Sequence, residues 1–299
     1  MARTEEPGIP DKRLMRRAFA RAALRYDAAA VLQREIGQRL LERLDYIRLQ
    51  PVRILDVGAG TGLCLPGLRQ RYPKAEIVSL DIAPAMLQQA RRKLSTWRRW
   101  RGRDRFVGGD AEQLPFAAAR FDLLFSNLAV QWCEDLPRAL AEFRRVLRPG
   151  GLLLFTTFGP DTLKELRDCW SRVDGYSHVN RFLDMHDIGD MLLQERYAEP
   201  VMDMEMLTLT YPEVISLMRD LKDIGAHNVT RARPRGLTGK TRLQQVIDAY
   251  EPHRIDGVLP VSYEVVYGHA WLPEEAAGRT SIAVGLETIR SAREGKEIP

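Results

Sequence analysis

The residues of this chain best suited to chemistry gather around one turn, Asp56-Val57-Gly58-Ala59-Gly60-Thr61-Gly62. A glycine-rich turn between a strand and a helix lets a ligand approach the backbone and meet a helix N-terminus. Several nucleotide-binding folds share that device, so the neighbours of the glycines decide between them. A dinucleotide fingerprint reads G-x-G-x-x-G, whereas the sixth position from Gly58 here is Leu63. A Walker loop would need Gly-Lys-Ser or Gly-Lys-Thr, which is absent. Asp56 precedes the glycines, where a carboxylate would repel a pyrophosphate but would suit an ammonium group. The ligand implied is cationic rather than polyphosphorylated.

Other polar residues fall where an open α/β sheet binds ligands, at the C-terminal ends of its strands. Asp81 ends Val78-Ser79-Leu80-Asp81 and could accept from both hydroxyls of a ribose, or cap the helix that begins at Pro84. Asp110, in Gly109-Asp110-Ala111-Glu112, is placed to accept from an adenine amino group. Asn127 follows the next apolar run and completes the row.

The elements that must carry these residues can be read from periodicity. Residues 12–48 read as helix, with Leu14, Ala18, Ala22, Val31, Leu32, Ile36, Leu40, Leu41 and Leu44 near a 3.6-residue period. Strands are expected at Arg53–Val57, Glu76–Leu80, Arg105–Val107, Phe121–Ser126 and Gly151–Phe158, and helices at Leu63–Arg71, Pro84–Leu94 and Leu136–Leu147. Arg148-Pro149-Gly150-Gly151 reads as a helix stop. Further helices are expected at Asp161–Val173, His186–Glu195, Pro212–Ile224 and Lys240–Tyr250, and strands at Val201–Thr210 and Val261–His269. This alternation predicts a Rossmann-like α/β fold: a mostly parallel, seven-stranded sheet with helices on both faces. Residues 1–50 form an expected helical lid, 51–272 the main domain with a helical insertion at about 211–252, and 273–299 a polar tail.

Residues 50–158, with their glycine turn and acids, resemble the class I S-adenosylmethionine-dependent methyltransferases. The implied cofactor contacts are Asp56, Gly58, Gly60, Gly62, Asp81, Ile82, Met86, Asp110, Ala111 and Asn127. The resemblance narrows in the second half. Phe158-Gly159-Pro160-Asp161-Thr162-Leu163-Lys164-Glu165-Leu166, His178-Val179-Asn180-Arg181-Phe182, Gly225-Ala226-His227-Asn228 and Ser262-Tyr263-Glu264-Val265-Val266-Tyr267-Gly268 are similar to the malonyl-acyl-carrier-protein O-methyltransferases of biotin synthesis. One departure is Ala232-Arg233, where the family leads us to expect Gly-Arg. The resemblance implies methylation of the free carboxylate of a malonyl thioester. A carboxylate is ionised at pH 7 and needs no general base, so no acid, base or nucleophile is assigned. Arginine suits the grip on a carboxylate, which makes Arg181 and Arg233 candidates, with Tyr26, Trp132 and His178 as walls or donors. A second reading is an arginine hydroxylase of the assembly-factor type, which shares the fold and resembles Asp161–Arg167; a third is a non-catalytic cofactor-binding scaffold.

Composition is consistent with this reading: 299 residues, 45% hydrophobic and 28% charged, fit an ordinary globular chain. No apolar run reaches the ~18 residues of a membrane span, nothing reads as a secretory signal, and a cytoplasmic location is expected. The three cysteines, Cys64, Cys133 and Cys169, lie too far apart for a zinc site, and no metal is expected. The net charge of +5 is concentrated. Six basic residues and no acid lie between Asp11 and Asp27, and eight basic residues against one acid between Arg91 and Arg105. Such runs suit an acidic acyl carrier protein. Trp97-Arg98-Arg99-Trp100-Arg101 could also suggest RNA, but no RNA-binding module accompanies it.

Overall fold

The computed structural model describes residues 10–95, 102–226, 228, 229 and 239–274. Among these, seven strands form one sheet in the order β3-β2-β1-β4-β5-β7-β6. They are β1 (Arg53–Val57), β2 (Glu76–Asp81), β3 (Asp104–Gly108), β4 (Phe121–Ser126), β5 (Leu147–Phe158), β6 (Ala198–Tyr211) and β7 (Leu259–Trp271). β1 to β5 pair in parallel, and β7 runs antiparallel to both β5 and β6. The central strands are near-continuous runs of buried residues, as strands covered on both faces must be. β6 alternates half-buried and exposed positions and forms an edge.

Ten helices are described: α1 (Lys12–Ala22), α2 (Tyr26–Ala29), α3 (Val31–Arg43), α4 (Leu65–Arg71), α5 (Pro84–Lys93), α6 (Leu136–Val146), α7 (Lys164–Ser171), α8 (Met185–Gln194), α9 (Val214–Asp223) and α10 (Lys240–Tyr250). One core gathers α3, α4 and α7 on one face of the sheet, through Ile36, Leu40, Leu68, Leu166 and Trp170. The other gathers α6 and α8 on the opposite face, through Leu140, Phe143, Ile188 and Leu192.

The fold class matches the expectation from periodicity, with two corrections. The helix expected over residues 12–48 is broken into α1, α2 and α3 and ends in a 3-10 turn at Leu44–Tyr46. Its apolar residues serve two destinations. Met15, Ala18 and Ala22 pack against Val229, Ala83 and Met86, while Ile36, Leu40 and Leu44 enter the core over the sheet; one straight helix could not reach both. The stop at Arg148-Pro149-Gly150-Gly151 ends α6 at Val146, yet the chain is already in β5 from Leu147. Pairing to β4 shifts register between Phe121–Leu147 and Leu123–Leu152, so the Pro-Gly-Gly segment is taken up as an irregularity inside the ladder.

Strand order reverses between β1 and β4, and the strand ends at this point leave a crevice on the C-terminal side of the sheet. Its rigidity rests on the cores beneath. Phe143 of α6 is fully buried. Phe143→Ala should lower unfolding stability by about 3–5 kcal/mol, whereas Leu24→Ala, at an exposed position, should change it by less than about 0.5 kcal/mol; urea unfolding of each variant measures both.

Candidate active site

The crevice is a cleft of about 870 Å³ including its open mouth. Gly58, Gly60, Leu80, Asp81, Ile82, Met86, Asp110, Ala111 and Asn127 line it, all at or beyond the ends of β1 to β4. The turn after β1 needs its glycines. Gly58, Gly60 and Gly62 have φ of +71°, +55° and +75°, a region side-chain-bearing residues rarely adopt. A Cβ on Gly58 would lie 2.1 Å from the Ala129 Cβ, so the turn packs directly on the segment after β4. A Cβ on Gly60 would meet nothing within 4 Å; here the backbone faces open space a ligand can use.

Asp81 organises this turn. Its carboxylate, 8% exposed, accepts from the Gly60 N–H at 2.9 Å with Oδ2 and from the Ala83 N–H at 2.7 Å with Oδ1. It does not cap α5 itself, whose N-cap position is Ala83. Burial pushes the Asp81 pKa up to about 6, against the opposing effect of its two backbone donors. Asp56 is more extreme: 2% exposed, with Oδ2 buried and without a hydrogen-bond partner. Burial and then the charge of Asp81 push it up to about 7. Asp56 and Gly62 are not among the residues lining the cleft; Asp56 lies buried behind the turn.

The N-terminal segment covers the cleft. Met15 and Phe19 of α1 and Tyr26 of α2 line it, facing Trp132, and Phe19 meets Trp132 edge to face at 5.3 Å. Burial, followed by the nearby carboxylate of Asp81, raises the Tyr26 pKa. Lys12 Nζ reaches across to Asp110 Oδ2 at 2.6 Å and Glu112 Oε1 at 2.9 Å. Although burial opposes it, these carboxylates hold the Lys12 pKa above its usual value. Asp27 pairs with Lys93 of α5 and accepts from the Thr61 hydroxyl within the glycine turn. Asp110 lines the cleft with both carboxylate oxygens engaged: Lys12 holds one and the Glu112 N–H the other, at 3.0 Å. The sequence marked Lys12 only as one basic residue in a run, and nothing in that run singled it out. Asn127 donates to the Gln33 carbonyl at 2.9 Å and accepts from Thr156 at 2.8 Å, fixing α3 to the strand ends.

The acceptor-side candidates separate. Trp132 and Tyr26 line the cleft. His178 lies in the wall of a second cavity, its ring stacked on Trp170 at 3.6 Å and its Nε2 2.8 Å from Asp174 Oδ1. Arg181 is exposed and lines neither cavity, because its neighbours Asn180 and Phe182 are the ones turned into the wall. The structure does not bring Arg181 to the cleft beside Trp132 and Tyr26. Arg233, with the Ala232-Arg233 departure, lies outside the described residues. The segments Phe158–Leu166 and Ser262–Gly268 fasten one another. The Glu264 carboxylate accepts from the Asp161 N–H at 2.7 Å, that of Glu165 accepts from the Ser262 N–H at 3.1 Å, and the Thr162 hydroxyl donates to the Glu264 carbonyl at 3.0 Å.

A sequence-family profile described as a methyltransferase domain matches residues 55–155. The malonyl-[acyl-carrier protein] O-methyltransferase of Gallionella capsiferriformans is 55% identical over 278 residues, covering 92% of this chain and 96% of that protein. The chain belongs to the malonyl-[acyl-carrier protein] O-methyltransferase family. The protein of the same name from Nitrosospira multiformis is also 55% identical, over 91% of this chain and 92% of its own length. The YcgJ protein of Bacillus subtilis shares the fold, with a TM-score of 0.54, 18% identity and coverage of 79% of this chain and 99% of that one. The Gallionella and Nitrosospira relatives carry the methyltransferase name, so the hydroxylase reading is set aside. Among the described residues of this methyltransferase no helix is long and apolar enough to cross a membrane, and no cluster of His, Cys, Asp or Glu could hold a metal ion.

The buried acids make the ligand-free protein sensitive to pH in a defined direction. Both have folded-state pKa values above the ordinary 3.8, at about 7 and about 6. These two groups therefore bind more protons in the folded state between about pH 4 and pH 7, and the stability they contribute is lost as pH rises through that window. Urea unfolding across this range should show Asp56→Asn gaining on the wild type as pH rises; a difference that does not vary with pH would remove the argument from burial.

Proposed function

We propose that this chain transfers the methyl group of S-adenosylmethionine to the free carboxylate of a malonyl thioester on acyl carrier protein or coenzyme A. The product would be the malonyl methyl ester that primes pimeloyl synthesis for biotin, made in the cytoplasm. The observation that carries this reading is family membership extending over nearly the whole chain, well past the cofactor half.

The cleft fits such a cofactor. Gly60 leaves the backbone open to a ligand, Asp81 offers the carboxylate for the ribose, and Ile82, Met86 and Ala111 give apolar surface for an adenine. Buried Asp56 and Asp81 favour positive charge, and Asp110 is available to an amino group once Lys12 yields. When bound, the cofactor supplies a sulfonium methyl that an ionised carboxylate oxygen takes, the S–C electron pair staying on sulfur and no proton moving. The protein's task is then to hold the acceptor in line and keep water out. Tyr26, Phe19 and Trp132 form the roof suited to that.

The exposed arginines of α1, among them Arg13, Arg16, Arg17 and Arg21, lie on the outer side of the segment that roofs the cleft. That surface suits docking of an acidic carrier protein.

Labelled S-adenosylmethionine with malonyl-carrier protein tests the reaction, and release of a malonyl methyl ester is the expected result. Asp81→Ala should weaken binding of S-adenosylhomocysteine by about tenfold to a hundredfold, read by calorimetry. Reversing Arg16, Arg17 and Arg21 to Glu should raise KM for malonyl-carrier protein by about tenfold or more and leave KM for malonyl-coenzyme A within about threefold. Equal effects on the two acceptors would count against docking on α1.

A further inference from the structure

The second cavity is lined by none of the residues assigned above to the cofactor. It encloses about 630 Å³ including its open mouth. Its wall is mostly apolar, from Leu163 and Trp170 at the start and end of the α7 region, Val179 and Phe182 on the following loop, and Leu221 of α9. It meets the cofactor cleft in two places. Ala226 belongs to both walls, and Phe158 of the cleft contacts Phe182 of the cavity edge to face at 5.6 Å. A ligand with its reacting end in the cleft can lay its remaining length here.

One polar group in this wall points to the ligand. Asn180 is 9% exposed, and its side-chain oxygen is buried without a hydrogen-bond partner. Such groups in folded proteins are normally satisfied, and an amide is best satisfied by another amide, which offers both N–H and C=O. Among the described residues the cavity wall holds no lysine or arginine. The wall is also set in advance. His178 is stacked on Trp170 and held by Asp174, which Arg242 of α10 approaches at 3.7 Å. A site rigid before binding loses less freedom on binding.

We propose that this cavity receives the amide-bearing thioester arm of the acceptor, with Asn180 hydrogen-bonded to one of its amides. The proposal rests on the malonyl-thioester reading above and gives the His178–Phe182 segment its use. Coenzyme A and acyl carrier protein both present such an arm, so both should depend on the cavity.

Asn180→Ala removes the polar partner, and Leu221→Trp fills the space. KM is measured with malonyl-coenzyme A, malonyl-carrier protein and the S-methyl malonyl thioester, which lacks the arm. In both variants the ratio of KM for either arm-bearing acceptor to KM for the armless one should rise about tenfold or more. The Kd of free coenzyme A, read by calorimetry, should weaken in parallel, and S-adenosylhomocysteine affinity within about twofold of wild type reports a folded protein. Ratios and coenzyme A affinities unchanged in both variants would overturn the proposal. So would a loss confined to the carrier protein, which would mark a protein contact instead. Wild-type inactivity on every malonyl thioester would sink the function proposed above, while the coenzyme A affinities would still decide for or against the cavity.

Discussion

A carboxylate held by two backbone N–H groups at the end of β2 sets the geometry around it. Asp81 draws Gly60 and Ala83 toward one point, and so ties the turn after β1 to the start of α5. The Gly58 and Ala59 N–H groups bind the Leu80 carbonyl beside it, at 2.8 and 3.0 Å. The glycine turn is thus pinned to β2 by backbone and side chain together, and its open backbone is fixed before any ligand arrives. Asp56 is buried behind it without a partner for one oxygen, and burial favours its neutral form.

The second half of the molecule does a different kind of work with similar residue types. Glu165 and Glu264 are buried acids, and in isolation either could be mistaken for a general base. Both oxygens of Glu165 accept from Ser262, one from its N–H and one from its hydroxyl, and Oε2 of Glu264 accepts from the Asp161 N–H. A Cβ on Gly159 would come within 2.4 Å of the Glu264 side chain, so that glycine allows the loop after β5 to close on β7. This clamp sets the path of the chain into α7 and, through it, one wall of the second cavity.

The sequence made the sheet legible because buried parallel strands are written as short apolar runs, and it made the glycine turn legible because its conformation admits little else. Asp81 could be found because strand C-termini are where such folds bind ligands. The acceptor side was far less legible. Lys12 meets Asp110 across 98 residues, a contact that depends on where α1 lands, and periodicity did not reveal that α1 parts from α3. In the loop His178–Phe182 the charge of Arg181 drew attention, yet its neighbours Asn180 and Phe182 face the cavity. In an irregular segment no repeat says which side chain turns inward.

The latch between Lys12 and Asp110 carries a further consequence under the cofactor placement proposed here. Lys12 and an adenine amino group would compete for the same carboxylate, so cofactor affinity is net of breaking that ion pair, and filling the cleft must loosen α1. The arginines on its outer side would then move with the state of the cleft. Empty and loaded protein would present different faces to a carrier, and by reciprocity a carrier that grips one face would shift the cofactor's occupancy. The two binding events would in this sense be coupled through the contacts of Lys12.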